Sequence, residues 1–201
     1  MNLIVDIGNS RAKIAIVDNG EIREQYAVPN ITDMDIRNIV TRYPALSRAI
    51  VASTRGNAES VGALLRHYIP NVVVFTPATT PIPLGNLYHT PQTLGADRLA
   101  AAVGVAALYP NRDIMIVDFG TAITIDYVVN GAFCGGNISP GVTTRFRALA
   151  DYTATLPLCS PTESVLEYGR TTAEAIEQGV MRGIEKEIAS YVESFMLKNN
   201  E

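Results

Sequence analysis

The chain opens with the stretch Leu3-Ile4-Val5-Asp6-Ile7-Gly8-Asn9, and 112 residues later it repeats the pattern as Met115-Ile116-Val117-Asp118-Phe119-Gly120-Thr121. In each copy an apolar run ends at an aspartate, and a glycine follows after one further residue. A second alternating run comes next, from Lys13 to Val17 or from Ile123 to Val129. Alternation of this kind is typical of β-strands, so each copy predicts a β-hairpin. The repetition indicates a duplicated architecture.

Each second strand ends in a turn dipeptide, Asn19-Gly20 or Asn130-Gly131. These dipeptides favour the positive φ angles of tight two-residue connections. The glycine after each strand-end aspartate lets backbone N–H groups approach a ligand closely. Two such turns facing each other across a cleft can hold a nucleotide, one with amides for phosphates and the other with a carboxylate for a cation. Each Asp-x-Gly taken alone is also compatible with an ordinary hairpin turn, but the repeated context favours binding.

Composition restricts the class of protein. The 201 residues suit one domain or two small ones, and 47% hydrophobic with 18% charged residues indicates a folded chain. A net charge of −4 argues against a nucleic-acid or anionic-membrane partner. The sequence shows no N-terminal signal and no apolar run of about 20 residues, so a cytoplasmic location is expected. Cys134 and Cys159 have no C-x-x-C spacing or nearby histidine, and neither a disulfide framework nor a zinc site is expected.

The remainder of the first half predicts a parallel βαβ arrangement. A helix is expected over 31–43 with Asp33 as its cap, followed by a strand over 49–53, a helix over 58–68 and a strand over 72–75. Residues 76–93 are rich in proline and predict a long loop of the kind that is often functional. An alanine-rich helix follows from residue 95 to near Pro110, with Asp97 in its first turn.

The second half is expected to add a third strand over 133–138 and a helix over 143–152. Thr171 to Glu174 fits a capping box that starts a long final helix. Apolar residues recur along this helix at helical spacing and predict a stripe that is core or interface: Ile176, Val180, Ile184, Ile188, Val192 and Phe195.

Five motifs in order along the chain resemble a type III pantothenate kinase, a member of the acetate and sugar kinase, Hsp70 and actin superfamily. They are Asp6 to Lys13, Tyr88 with Leu94 to Arg98, Asp118 to Ala122, Gly135 to Gly141, and Thr153 to Pro157. The resemblance implies an α/β fold of duplicated ribonuclease H-like (actin-like ATPase) domains. The two domains would span 1–110 and 111–201. Each would be a mixed β-sheet with flanking helices, and a nucleotide cleft would lie between them.

The resemblance also implies an activity, the ATP-dependent phosphorylation of pantothenate to 4'-phosphopantothenate in the first step of coenzyme A biosynthesis. Asp97 matches the general base, and Asp118 matches the position that binds a monovalent cation, K⁺ or NH₄⁺. Mg²⁺ would arrive mainly on the nucleotide, and homodimers are typical. The residues that match ATP-binding positions are Asp6, Ile7, Gly8, Asn9, Ser10, Arg11, Ala12, Lys13 and Thr121. Those that match pantothenate-binding positions are Tyr88, Gly95, Ala96, Asp97, Arg98 and Thr172.

One departure from the family pattern keeps alternatives open. The family usually continues through a strand with a Gly-Gly turn and a closing helix, whereas this sequence ends at Glu201. The chain is therefore expected to be either a shortened product or a reduced variant, with a hydrophobic edge in its second half that a partner subunit would cover. One alternative is a catalytically silent nucleotide-binding or regulatory member of the fold, but retention of Asp6, Lys13, Asp97, Arg98 and Asp118 argues for catalysis. The other is a sugar or polyphosphate enzyme of the superfamily, which the pairing of Tyr88 with Gly-Ala-Asp-Arg disfavours.

Overall fold

The computed structural model describes residues 1–199. The chain forms two compact units, Met1–Ala107 and a second that begins at Leu108. Both combine a β-sheet with helices, which confirms the mixed α/β class. The elements of the first unit are β1 (Asn2–Ile7), β2 (Ala12–Asp18), β3 (Glu21–Val28), α1 (Asp33–Arg42), β4 (Arg48–Ser53), α2 (Ala58–Arg66), β5 (Asn71–Val74), β6 (Gly85–Asn86) and α3 (Ala96–Leu108), which ends at the boundary.

The sheet of the first unit has the strand order β3-β2-β1-β4-β5. The β1–β2 hairpin is antiparallel, and β4 runs parallel to both β1 and β5, as the sequence predicts. Leu3, Val5 and Ile7 alternate along β1 and point into a core that α1 and α2 cover. This packing fixes the end of β1, and with it the Asp-x-Gly turn, against a rigid layer.

Two local features of the first unit differ from the prediction. Strand β3 is absent from the prediction because its residues are mostly polar and exposed, as befits an edge strand. Helix α1 is capped by Thr32 and not by Asp33. The Thr32 hydroxyl accepts the Asp35 N–H at 3.3 Å, and the Asp35 carboxylate accepts the Thr32 N–H at 2.8 Å. This reciprocal capping box places the start of the helix at Asp33.

The second unit contains β7 (Ile114–Phe119), β8 (Ala122–Val129), β9 (Ala132–Pro140), α4 (Val142–Asp151) and α5 (Thr172–Asn199). Strand β8 pairs antiparallel with β7 and with β9, which confirms the predicted hairpin and third strand. Ile176, Val180 and Ile184 of α5 are buried against Ile123 and Phe146, so this part of the apolar stripe is core. The predicted capping box is present, because the Glu174 N–H donates to the Thr171 hydroxyl at 3.2 Å.

The two predicted turns share one backbone conformation. Asn19 and Asn130 both have a φ of 51°, and the glycines that follow them have φ values of 84° and 72°. The β2–β3 and β8–β9 pairings also each have a register irregularity just before the turn, at Ile16/Val17 in the first unit and at Tyr127/Val128 in the second. The likeness between the two halves therefore extends from the motif to strand pairing and turn geometry.

Both cysteines of the chain lie within the described residues. Cys134 and Cys159 are both free thiols. Within residues 1–199 no helix has both the length and the apolar character needed to cross a bilayer.

Candidate active site

The turn between β1 and β2 comprises residues 8–11, and it is named the phosphate turn after the role that the family resemblance implies for it. The Gly8 N–H donates to the Arg11 carbonyl at 3.0 Å, and the Ile7 carbonyl accepts the Thr54 N–H at 2.9 Å. Among residues 1–199 nothing accepts from the amide N–H groups of Asn9, Ser10 and Arg11, and all three residues are exposed. Consecutive amides that are free to donate make a site suited to an anion.

Packing does not account for the glycine in this turn. A methyl group at Gly8 would lie 3.5 Å from the Arg11 carbonyl oxygen, which is an ordinary contact, and Gly8 does not have a positive φ. The corresponding Gly120 has the same clearance, 3.5 Å from the Ala122 carbonyl oxygen. Space beside the backbone at both positions is therefore open to a ligand.

Asp6 and Lys13 lie opposite each other in the β1–β2 ladder. Their charged groups are 3.9 Å apart, with 36% and 75% of the side chains exposed. An exposed pair at this distance is weak and rearranges easily, so the ammonium can turn to an anion on the adjacent turn. Both residues line a groove of about 430 Å³ together with Gln25 and Tyr26.

The segment Gly95 to Arg98 at the start of α3 holds four of the six residues that match pantothenate-binding positions. Asp97 is exposed in the first turn, and its Oδ1 accepts the Arg98 N–H at 2.9 Å. A Cβ at Gly95 would lie 2.5 Å from that Oδ1, so glycine is needed for the carboxylate to fold back in this way. Arg98 is only 7% exposed, and its guanidinium lies 5.7 Å from the centre of the Tyr88 ring. The structure thus brings Tyr88, Gly95, Asp97 and Arg98 together.

A cavity of about 460 Å³ adjoins this segment within the first unit. Gly95 and Ala96 line it, together with Thr54 and Gly56 after β4 and Phe75 after β5. Its volume falls in the range of small-molecule sites.

The turn between β7 and β8, residues 120–121, is named the second-unit turn, and it is hydrogen-bonded to the start of α4. The Thr121 carbonyl accepts the Gly141 N–H at 3.0 Å and the Thr144 hydroxyl at 2.6 Å. A Cβ at Gly141 would clash with the Gly120 carbonyl oxygen, so only glycine allows this approach. Asp118 and Thr121 are both exposed.

Arg145 of α4 links the end of β9 to the last helix. Its Nε donates to the Pro140 carbonyl at 2.8 Å, and its Nη2 donates to the Ser139 hydroxyl at 3.2 Å and to the Glu187 carboxylate. Burial raises the pKa of Glu187, but the hydrogen bonds from Ser139 and Arg145 and the charge of Arg145 outweigh it, and the net pKa is below the ordinary value of 4.5. The ionised pair therefore anchors β9 and α4 to α5.

This pair predicts acid sensitivity. Since folding depresses the pKa of Glu187, its contribution to stability is complete above pH 4.5 and is lost as the pH falls through the folded-state value. Urea unfolding from about pH 6 to about pH 3 should show the wild type converging on Glu187→Gln at the acid end. Glu185→Gln is the control, because Glu185 forms no ion pair within residues 1–199. A constant difference between wild type and Glu187→Gln across this range would contradict the prediction.

A model of the type III pantothenate kinase family matches residues 2–194. The chain belongs to the type III pantothenate kinase family. A type III pantothenate kinase of Phocaeicola vulgatus is 44% identical over 193 residues, which cover 96% of this chain and 79% of that protein. One from Porphyromonas gingivalis is 39% identical over 201 residues, covering 98% and 81%.

Among solved structures, the chain resembles a conserved protein of Campylobacter jejuni that is described as a Baf family transcriptional activator. The TM-score is 0.60 at 23% identity, and the match covers 94% of this chain and 78% of that one. At this identity the similarity shows the fold alone.

Several residues around these type III pantothenate kinase motifs went unnoticed in the sequence. Arg55 and Gln178 hold loops through carbonyl or amide contacts, and Arg145 joins β9 to α5. Buried Gln178, for example, accepts the Leu166 N–H at 2.9 Å. No local pattern identifies them, because their partners are distant in sequence. Thr172 is exposed at the start of α5, where Thr171 makes the capping bond, so the Thr172 side chain is accessible for the predicted substrate contact.

Proposed function

We propose that this protein transfers the γ-phosphoryl group of ATP to pantothenate, giving 4'-phosphopantothenate at the first step of coenzyme A biosynthesis. The observation that carries this proposal is the phosphate turn, which holds three exposed amides without an acceptor among residues 1–199 and is followed in the chain by the exposed Lys13. The family model matches residues 2–194 of this chain. Phosphoryl transfer depends mainly on positioning and on charge stabilisation, and amides and an ammonium supply both.

In this proposal the residues have distinct tasks. The segment Asp6 to Lys13 and Thr121 bind ATP, with the amides of the phosphate turn on phosphate oxygens. Asp97 accepts the proton of the pantothenate hydroxyl as that oxygen attacks phosphorus, which requires an accessible carboxylate. The exposure of Asp97 meets this requirement. Tyr88, Gly95, Ala96, Arg98 and Thr172 bind pantothenate.

We further propose that the halves 1–110 and 111–201 are duplicated ribonuclease H-like domains with the nucleotide cleft between them. The strand pairing and turn geometry that the two units share support the duplication. We also propose a cytoplasmic homodimer, as the family resemblance implies, and the net charge of −4 argues against nucleic-acid or anionic-membrane partners.

Asp118 is proposed to hold a monovalent cation. Its exposed carboxylate at the end of β7 provides the oxygen ligand that hard cations prefer, so the residue fits this task. When bound, K⁺ or NH₄⁺ would offset phosphate charge, whereas Mg²⁺ would be held mainly by the nucleotide. Asp118→Ala is expected to raise the KM for ATP by about 10-fold and to flatten the potassium titration of activity. An unchanged potassium titration would remove Asp118 from this role.

The experiment that tests the proposal is a coupled ADP-release assay with ATP, Mg²⁺ and pantothenate in potassium or sodium salt. Pantothenate-dependent turnover that potassium favours is the expected result. Nucleotide binding without turnover would identify a catalytically silent member of the fold. Turnover on a sugar or polyphosphate in place of pantothenate would reassign the substrate.

A further inference from the structure

Arg55 connects three loops at the carboxyl end of β1. Its Nε donates to the Asn9 carbonyl at 3.1 Å, and its Nη1 donates to the Asn30 side-chain oxygen at 2.8 Å and to the Pro29 carbonyl at 3.4 Å. Asn9 belongs to the phosphate turn, Pro29 and Asn30 to the β3–α1 connection, and Arg55 itself follows β4. One guanidinium thus ties the phosphate turn to two other loops.

The backbone that carries Arg55 is itself fixed. The Arg55 N–H donates to the Ser53 hydroxyl at 3.0 Å, and that hydroxyl donates to the Asn57 side-chain oxygen at 2.6 Å. The neighbouring Thr54 N–H donates to the Ile7 carbonyl at 2.9 Å. The side chain therefore reaches the phosphate turn from a support that is bound to the end of β1.

The bond to the Asn9 carbonyl sets the direction of the next amide. The Asn9 C=O and the Ser10 N–H belong to one planar trans peptide, and within that plane the two groups point in opposite directions. When Arg55 holds the carbonyl on its own side, the Ser10 N–H points to the other side, where nothing within residues 1–199 accepts from it. Rotation of this peptide would present a carbonyl oxygen where an anion needs a donor.

We propose that Arg55 is a positioning residue for the phosphoryl donor, which acts by orienting the Asn9–Ser10 peptide of the phosphate turn. This inference rests on the proposed function, because it takes the anion at the turn to be the phosphates of ATP. The guanidinium acts through its planar fork, because two separate nitrogens, Nε and Nη1, donate to acceptors on two loops in a fixed geometry. The compact ammonium of lysine does not reproduce that geometry.

The test compares Arg55→Met and Arg55→Lys with the wild type. Both variants should raise the KM for ATP and the Kd for ADP, measured by calorimetry, by about 10-fold. The KM for pantothenate should stay within about twofold. Arg66→Met is the matched control, because within residues 1–199 the one ion pair of Arg66 is an exposed pair with Glu59 at 2.7 Å. This variant should leave all three constants unchanged.

Asn30→Ala supplies a second route, since it removes one acceptor while Arg55 remains. Its effect on the Kd for ADP should be smaller than that of Arg55→Met, and the double variant should fall short of the product of the two effects. A Kd for ADP within about twofold of wild type in Arg55→Met would overturn the proposal. Wild-type affinity for ADP in Arg55→Lys would also overturn it, because it would indicate a direct charge contact with phosphate. Equal losses of affinity for ATP and pantothenate would overturn it as well, because they would indicate general unfolding.

The calorimetric measurement separates this inference from the proposed function. If the wild type binds ADP but does not turn over pantothenate, the kinase proposal fails, and the loss of ADP affinity in Arg55→Met still decides the role of Arg55. If the wild type neither binds ADP nor turns over pantothenate, both are wrong.

Discussion

Asp97→Asn is expected to lower kcat by about two to four orders of magnitude, the range that a positioned general base contributes. The amide of asparagine cannot accept the proton of the pantothenate hydroxyl. Its side-chain oxygen can still accept the Arg98 N–H, a bond that Asp97 makes at 2.9 Å, so the local fold should persist. Steady-state kinetics with both substrates is the measurement, with the KM values expected within about threefold of wild type.

The control for this variant is Asp113→Asn. Asp113 is exposed and accepts the Asn130 N–H at 2.8 Å, a contact that asparagine can keep. This variant should retain wild-type kcat, and both variants should melt within about 2 °C of wild type. Near wild-type turnover in a folded Asp97→Asn enzyme would exclude Asp97 as the base.

Gly141→Ala is expected to disturb the second-unit turn and to lower the free energy of unfolding. Gly141 has a φ of −69°, which alanine adopts without strain, so the effect comes from the added methyl group alone. That methyl would clash with the Gly120 carbonyl oxygen and lie 2.8 Å from the Thr121 carbonyl oxygen. Because these are backbone atoms, α4 must move away from the turn, at a cost of about 1–3 kcal/mol of unfolding free energy.

Displacement of α4 would also weaken the contacts of Thr121 with Gly141 and Thr144. We therefore expect the KM for ATP to rise by about 10-fold in Gly141→Ala, with urea unfolding as the parallel measurement. Gly179→Ala is the matched control: a methyl there meets nothing within 4 Å, and alanine should stabilise α5 by up to about 1 kcal/mol. A Gly141→Ala protein as stable as wild type would show that the turn and α4 are not packed as described.

Local sequence patterns predicted much of the fold. The hairpins, both Asn-Gly turns, the capping box at Thr171 and the core stripe of α5 all depend on residues within a few positions of one another. Two further features were local but were not recognised. The capping box at Thr32 has an aspartate where glutamate or glutamine is usual, and β3 lacks the apolar alternation of a half-buried strand because one of its edges and most of its side chains face solvent.

The family motifs likewise identified candidate site residues, and the tertiary structure decides their surroundings. It places Arg98 under Tyr88 in a nearly buried position, whereas Asp97 beside it is exposed. Successive residues of a helix point about 100° apart, and the packing of the helix decides which of them is covered. The catalytic and binding tasks of these residues stay predictions that the experiments above test.

The sequence by itself determined the strand-turn-strand units, the turn conformations and the family of this protein, because these follow from short-range preferences and from residue identity. Only the tertiary structure decided how the turns are supported. Arg55 lies 46 residues from Asn9, and Arg145 lies 42 residues from Glu187. Arg55 reaches the phosphate turn because β4 pairs in parallel beside β1, and Arg145 reaches Glu187 because α4 packs on α5. Contacts to backbone carbonyls leave no pattern in the sequence, since every residue carries one.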